Sequence, residues 1–197
     1  QGQIDIPLNN NGKNQAKKTF EYLRNISFNK AFSSSMHRPY ETAQIILQNN
    51  KDLKIKKIDS LIEISHGLWE GKLEAEIREE WPRLLKNWHE KPEEVIMPEG
   101  ESIKDVSERS IEAFTKICST QKDNDLTLLV AHDAVNKTLI CNLLGISYSN
   151  IWMIKQGNGG ITVIDLFNDP SKTPVISALN ITTHLGGVID STVSGAL

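Results

Sequence analysis

The sequence predicts an α/β domain. Helical and strand patterns alternate along it, and the run Leu126–Ala131 is apolar almost without a break, as in a strand buried on both faces. A length of 197 residues is enough for one sizeable core and too short for two. Hydrophobic residues make up 39% and charged residues 24%, as in an ordinary globular domain. The 22 basic and 25 acidic residues are interspersed and leave a net charge of −3, which points away from nucleic acid and from an anionic membrane as partners. No apolar run approaches the ~18–20 residues of a bilayer span, and no signal peptide is visible. Cys118 and Cys141 sit in apolar helical patterns, so two buried thiols are expected rather than a disulfide or a metal pair. A reducing, cytoplasmic location is the expectation.

Taken in order, Asn9–Gly12 is a turn that caps a helix running through Asn25, with Ala16, Phe20 and Leu23 at helical spacing. Lys30–Ser35 is a short strand ending in a serine-rich bend. Pro39 suits the first turn of a helix that continues through Ala43 and Leu47. Leu53–Ile58 is a strand, and the lysines between Lys51 and Lys57 alternate with apolar residues as its outer face. Glu63–Gly71 is irregular. Leu73–Trp88 is helical with a break at Pro82, and Lys91–Gly100 is a loop. Ser102 with Asp105 forms a capping-box pattern before the apolar face Ile103, Val106, Ile111, Phe114 and Ile117. After the strand at Leu126–Ala131 a helix is expected from about Val135 to Leu144, closed by Gly145. Ile161–Leu166 and Val175–Leu179 are strands joined by the turn Asn168-Asp169-Pro170. The tail beyond His184 reads as extended.

Three residues stand out by position. His132 directly follows the apolar strand, at the carboxyl end where open α/β sheets collect ligands. It suits a proton donor, a metal ligand or a phosphate contact, and equally a structural histidine bonded to backbone. Arg38 lies at the other strand-to-helix junction, where its planar fork of donors fits a phosphate, although a solvated surface arginine looks the same in sequence. Glu63, flanked by Ile62 and Ile64, is a carboxyl in partly apolar surroundings, able to hold a proton near neutrality. Together they describe an anion pocket beside a proton donor, without a nucleophile.

Six segments in order carry a resemblance. They are Gln1–Leu8 with Gly12, Gln15 and Ala16; Ser33–Arg38 with Thr42 and Ala43; Leu61–Glu63 with Gly67–Gly71; Pro98–Ser102 with Arg109; Val130–His132; and Asn158-Gly159. The chain resembles the histidine phosphatase superfamily, also called phosphoglycerate mutase-like, over almost its whole length. The resemblance implies a three-layer α/β/α fold with a mostly parallel central sheet. It implies a phosphomonoesterase that works through a phosphohistidine on a small phosphorylated metabolite such as a sugar or sugar-acid phosphate. Arg38 and His132 would hold the transferring phosphoryl group, Glu63 would protonate the leaving alcohol, and Gln1 and Gly2 would line the substrate mouth. No metal or other cofactor is implied.

The family's nucleophile lies in an Arg-His-Gly motif at the end of a first strand, and none of His37, His66, His89 or His184 has that context. The expectation is therefore a histidine-phosphatase-like domain over residues 1–185 that lacks this strand and motif and is inactive by itself, followed by an extended tail over 186–197. His132 is followed by Asp133 where most members have glycine. His132–Asn136, Gln156–Gly160 and the Ser-Gly-Ala-Leu ending are similar to the second half of tandem family members in cyanobacteria, with plant relatives described as carboxyarabinitol-phosphate phosphatases. A homodimer partner or a tandem sister domain would fit that placement.

Two other readings are kept: a mutase, which the short span between Glu63 and His132 disfavours, and a non-catalytic domain that binds a phosphorylated ligand, in which Glu63 would have little use. Sugar phosphates, glycerate phosphates, a cobamide nucleotide-loop phosphate and carboxyarabinitol phosphate all fit such a pocket. Trp81, Trp88 and His89 are the residues that would choose among them, and they read equally well as ordinary helix-packing and surface residues.

Overall fold

The computed structural model describes residues 1–167, 169 and 171–186. The helical periodicity of Asn10–Leu23 (α1) buries Ala16, Thr19 and Phe20, and Asn9 caps it by accepting the Gly12 N–H at 2.9 Å. Strand β1, Lys30–Ser34, leads into α2, His37–Ile46, and β2, Ile55–Ile58. Pro82 divides the predicted long helix into α3, Glu74–Glu80, and α4, Pro82–Glu90, because its ring takes the first turn of the second helix and cannot continue the first. Helix α5, Ile103–Ser119, opens on the predicted capping box, with the Ser102 and Asp105 side chains each accepting the other's backbone N–H. Strand β3, Thr127–Val130, is followed by α6, Asp133–Leu144, which ends at Gly145 with φ +64°, a conformation suited to glycine. The hairpin β4, Ile161–Asp165, and β5, Val175–Ile181, completes the described elements. Of the turn predicted at 168–170, Asn168 and Pro170 lie outside the described residues, as does the tail from Gly187 onward.

The central sheet is parallel, in the order β2-β1-β3, and β4 pairs antiparallel with β5 in a separate two-stranded sheet. Helix α2 packs across all three parallel strands, with α1 against α2. Helices α5 and α6 pack on each other, and their apolar faces join Phe32 of β1 and Leu129 of β3 in the main core. Val106, Val135, Leu61 and Cys141 are fully buried there, each apolar side chain of that size contributing about 1.5–3 kcal/mol. Cys141 and the half-buried Cys118 are free thiols. The lysines of β2 guard a sheet edge, Lys56 lying over the Phe32 ring and Lys57 over that of Tyr40.

One expectation is corrected. Strand β3 is not buried on both faces: all four of its residues are half-exposed, because it forms an edge of the three-stranded sheet and its outer side lines a cleft. Among the described residues no helix is long and apolar enough to cross a membrane.

Candidate active site

The parallel pairing of β1 with β3 brings two strand-to-helix junctions to the same end of the sheet. At one, β1 ends in Ser34 and Arg38 is the second residue of α2. At the other, β3 ends in Val130 and His132 is the N-cap of α6. Two helix N-termini therefore face one region, an arrangement that favours an anion; their first N–H groups already meet carboxylates, Asp5 at His37 and Glu63 at Asp133.

His132 is only 7% exposed. Its ring Nε2 hydrogen-bonds Ser34 Oγ at 2.9 Å, tying the ends of β3 and β1 together. Burial, aided by the positive charges of Arg38 and Arg109, pushes the imidazole down to about 3, so it is neutral at ordinary pH. Glu63 follows a 3-10 turn at Asp59–Leu61. Its Oε1 accepts the Ile64 N–H at 2.9 Å and its Oε2 accepts the Asp133 N–H at 3.1 Å, so one hydrogen bond links the acid to the residue after His132. Burial lifts this carboxyl to about 7, and the neighbouring charge of Asp133 adds to the rise while backbone N–H donors oppose it. Arg38 Nη1 donates to the Ile4 carbonyl at 3.4 Å. Beside it, Asp5 accepts the His37 backbone N–H and contacts its ring Nδ1, each at 2.7 Å, fastening the first residues to α2.

Gln1, Gly2, Arg38, Glu63 and His132, the five residues singled out in the sequence, all line one cleft of about 2100 Å³. The cleft continues along β3 and β4, between apolar residues of α1, α5 and α6. Of the residues expected to discriminate substrates, Trp88 is buried beside His66 and accepts the Trp152 indole N–H on its carbonyl at 2.8 Å. Trp81 packs against Trp69, and His89 is exposed.

A second set of residues, which sequence reasoning did not assign to the site, fixes the loop that carries Glu63. Arg109 donates to the carbonyls of Ser60, Ile62 and Glu63 at 3.0, 2.7 and 3.0 Å and forms a two-pronged pair with Glu101 at 2.7 and 2.9 Å. Glu101 also accepts the Ser65 N–H at 2.8 Å. Gln3 donates its side-chain amide to the Glu63 carbonyl at 3.0 Å and its backbone N–H to Glu70 at 2.8 Å. Glu70 also takes the His66 N–H at 3.1 Å. Gly67, at φ +53°, lets this loop lie against Pro98–Gly100, where any Cβ would collide with the Pro98 carbonyl. Two sequence signals for Arg109 existed: the segment Pro98–Ser102 with Arg109 is one of those that carry the resemblance, and Arg109 falls seven residues after the N-cap Ser102, two turns along the same helix face and within reach of Glu101.

A family model described as the histidine phosphatase superfamily, branch 1, matches residues 1–181. The chain is 34% identical over 186 residues to phosphoserine phosphatase 1 of Hydrogenobacter thermophilus, covering 94% of this chain and 86% of that protein. It is 28% identical over 166 residues to a probable 2-carboxy-D-arabinitol-1-phosphatase of Arabidopsis thaliana, covering 84% of this chain but only 34% of the plant protein. Among solved structures, Bacillus stearothermophilus YhfR superposes with a TM-score of 0.87 at 26% identity, covering 94% of this chain and 90% of that one.

Proposed function

The chain belongs to the histidine phosphatase superfamily, and on that premise we propose that it hydrolyses small phosphomonoesters through a phosphohistidine intermediate. The observation that carries this reading is the hydrogen bond from the Asp133 N–H to Glu63 Oε2. It sets an acid that is protonated near neutrality against the helix start that carries His132, with Arg38 in the same cleft.

A histidine nitrogen attacks the phosphorus, the bond to the substrate's ester oxygen breaks, and Glu63 gives its proton to the departing alkoxide. Glu63, now a carboxylate, then takes a proton from water as that water attacks phosphorus. The N–P bond breaks and phosphate leaves. Arg38, the N-termini of α2 and α6, and His132 stabilise the charge spread over the equatorial oxygens. Burial, helped by the Arg38 and Arg109 charges, keeps His132 neutral in the free protein, and a phosphate dianion beside it offsets those two charges and raises the ring's affinity for a proton.

No histidine of residues 1–197 lies in an Arg-His-Gly context. We place the nucleophile on a preceding strand between β3 and β4, where the apolar cleft runs along both. On this reading residues 1–197 bind phosphate but do not turn it over. The substrate is a small phosphorylated metabolite, a class that includes the amino-acid and sugar-acid phosphates in the names of the two curated relatives.

The test is phosphate release from a panel of such metabolites by a form extended upstream through Arg-His-Gly, with rapid quenching to trap an acid-labile, alkali-stable phosphoenzyme. Arg38→Ala and His132→Ala should each cut turnover at least ~100-fold. Near-normal rates in either variant refute the assigned roles.

A further inference from the structure

Asp133 and Lys137 are one helical turn apart at the start of α6, and neither side chain is used in the mechanism above. The Lys137 ammonium bonds Asp133 Oδ2 at 2.8 Å. Lys137 is only 8% exposed and lies over the Trp152 ring. A lysine is seldom buried to that extent without a specific partner. The other carboxylate oxygen, Asp133 Oδ1, is buried and has no hydrogen-bond partner. Asp133, Glu63, His66, Trp88 and Trp152 all line a small cavity of about 20 Å³, a space for roughly one water molecule. The backbone N–H of the same Asp133 holds Glu63 Oε2. Two carboxyl groups thus border one small cavity, one of them held by the other residue's backbone N–H, and the Lys137 ammonium is bound to Asp133.

We propose that Asp133 and Lys137 are positioning residues for the acid: Asp133 places a second negative charge beside Glu63 so that the proton stays on Glu63, and Lys137 pulls the Asp133 carboxylate down the helix, away from the anion pocket. The inference rests on the reading of Glu63 as the proton donor. It also accounts for how an acidic side chain is tolerated immediately after His132. The pull runs toward the fifth residue of α6, opposite to the helix N-terminus that faces the phosphate. The direction agrees with the electrostatics, since after burial the Asp133 charge is the largest influence raising the Glu63 carboxyl. The other charged groups around Glu63 are accounted for. His66 in the shared cavity is neutral, pushed down to about 4 chiefly by burial. Arg109, already paired with Glu101, meets only the Glu63 carbonyl. Arg38 and His132 line the larger cleft together with Glu63 and are absent from the small cavity that Glu63 shares with Asp133.

The test reads Glu63 directly. Carbon-13 NMR of the side-chain carboxyl follows its titration in residues 1–197, in Asp133→Asn and in Lys137→Met, and pH–rate profiles follow the same variants in the upstream-extended enzyme. Asp133→Asn should lower the Glu63 midpoint by about one pH unit and move the basic limb of kcat/KM down with it. Lys137→Met should move both upward, because it strips the paired ammonium from Asp133. An Asp133→Asn midpoint within 0.3 units (about twofold in the equilibrium,) of the parent overturns the proposal, as does a Lys137→Met shift in the same direction as Asp133→Asn. A midpoint that moves while the rate profile stays fixed instead counts against Glu63 as the proton donor and leaves the charge coupling intact.

Discussion

Replacing Arg109 by methionine probes whether the acid loop is held from beneath. The substitution keeps the length of the aliphatic stem and removes five hydrogen bonds, three to loop carbonyls and two to Glu101. Breaking a buried pair by deleting one partner costs about 3–5 kcal/mol, because the other charge is left without compensation. Here the two side chains are 19% and 22% exposed, so the lower end applies and the loss is about 3 kcal/mol. For a domain near 200 residues that corresponds to a melting temperature lower by roughly 6–12 °C. Arg109→Lys keeps the charge but cannot span three carbonyls and a carboxylate at once, and should lose about half as much. Thermal unfolding followed by circular dichroism measures both. The Arg109→Met, Glu101→Gln double variant closes a cycle in which the two losses should be clearly less than additive. If Arg109→Met melts within about 2 °C of the parent, the loop is held by something else and the reasoning fails.

Two further outcomes are expected. Gly67→Ala should destabilise the loop and depress turnover together, since the added Cβ meets the backbone of Pro98–Gly100 at a left-handed φ. Paired melting and kinetic measurements check this, and an unchanged melting temperature refutes it. Stability should also fall on acidification. His132 and His66 are neutral in the fold, at about 3 and about 4 against 6.5 when unfolded, so from pH 6.5 downward the unfolded chain binds up to two more protons. Glu63 opposes this, because at about 7 against 4.5 the folded state binds one more proton. Between pH 4.5 and 6.5 these three groups leave a net difference of one proton and lower stability by roughly 1.4 kcal/mol per unit as pH falls, and His184, also held below its ordinary value by burial, adds to the loss. Glu63→Gln removes the opposing proton and should steepen the loss to roughly 2.7 kcal/mol per unit. Denaturant titrations across this range give the slopes, and a parent curve that is flat or rises toward acid contradicts the assigned protonation states.

The local elements were legible because their signals are local. Asn9 and Gly12, Ser102 and Asp105, Pro82 and Gly145 each act within a turn of themselves, and the helices begin and end at or close to them. Leu126–Ala131 misled because an unbroken apolar run reports an apolar environment but not whether helices, a neighbouring strand or an open cleft supplies it. Arg38, Glu63 and His132 were readable one at a time as strand-end or loop residues. Their support was not, since it joins Gln3 to Glu63, Ser65 to Glu101 and Ser34 to His132 across loops whose approach depends on the finished fold. Asp133 and Lys137 were spaced for a helical ion pair all along, but only the buried position of Lys137 gives that spacing a consequence.

Gln3 has a practical consequence for anyone redesigning the selectivity of this protein. Its main chain is pinned to Glu70 and its amide to the carbonyl of Glu63, while Gln1 and Gly2 immediately before it border the opening. On the proposed reading, the rim that would screen incoming molecules and the group that would deliver the proton are therefore mechanically coupled. On that same reading, libraries that randomise the first three positions to admit bulkier esters will disturb acid delivery in the same stroke, whereas diversity introduced at Gln156, which lines the same cleft, leaves that linkage alone.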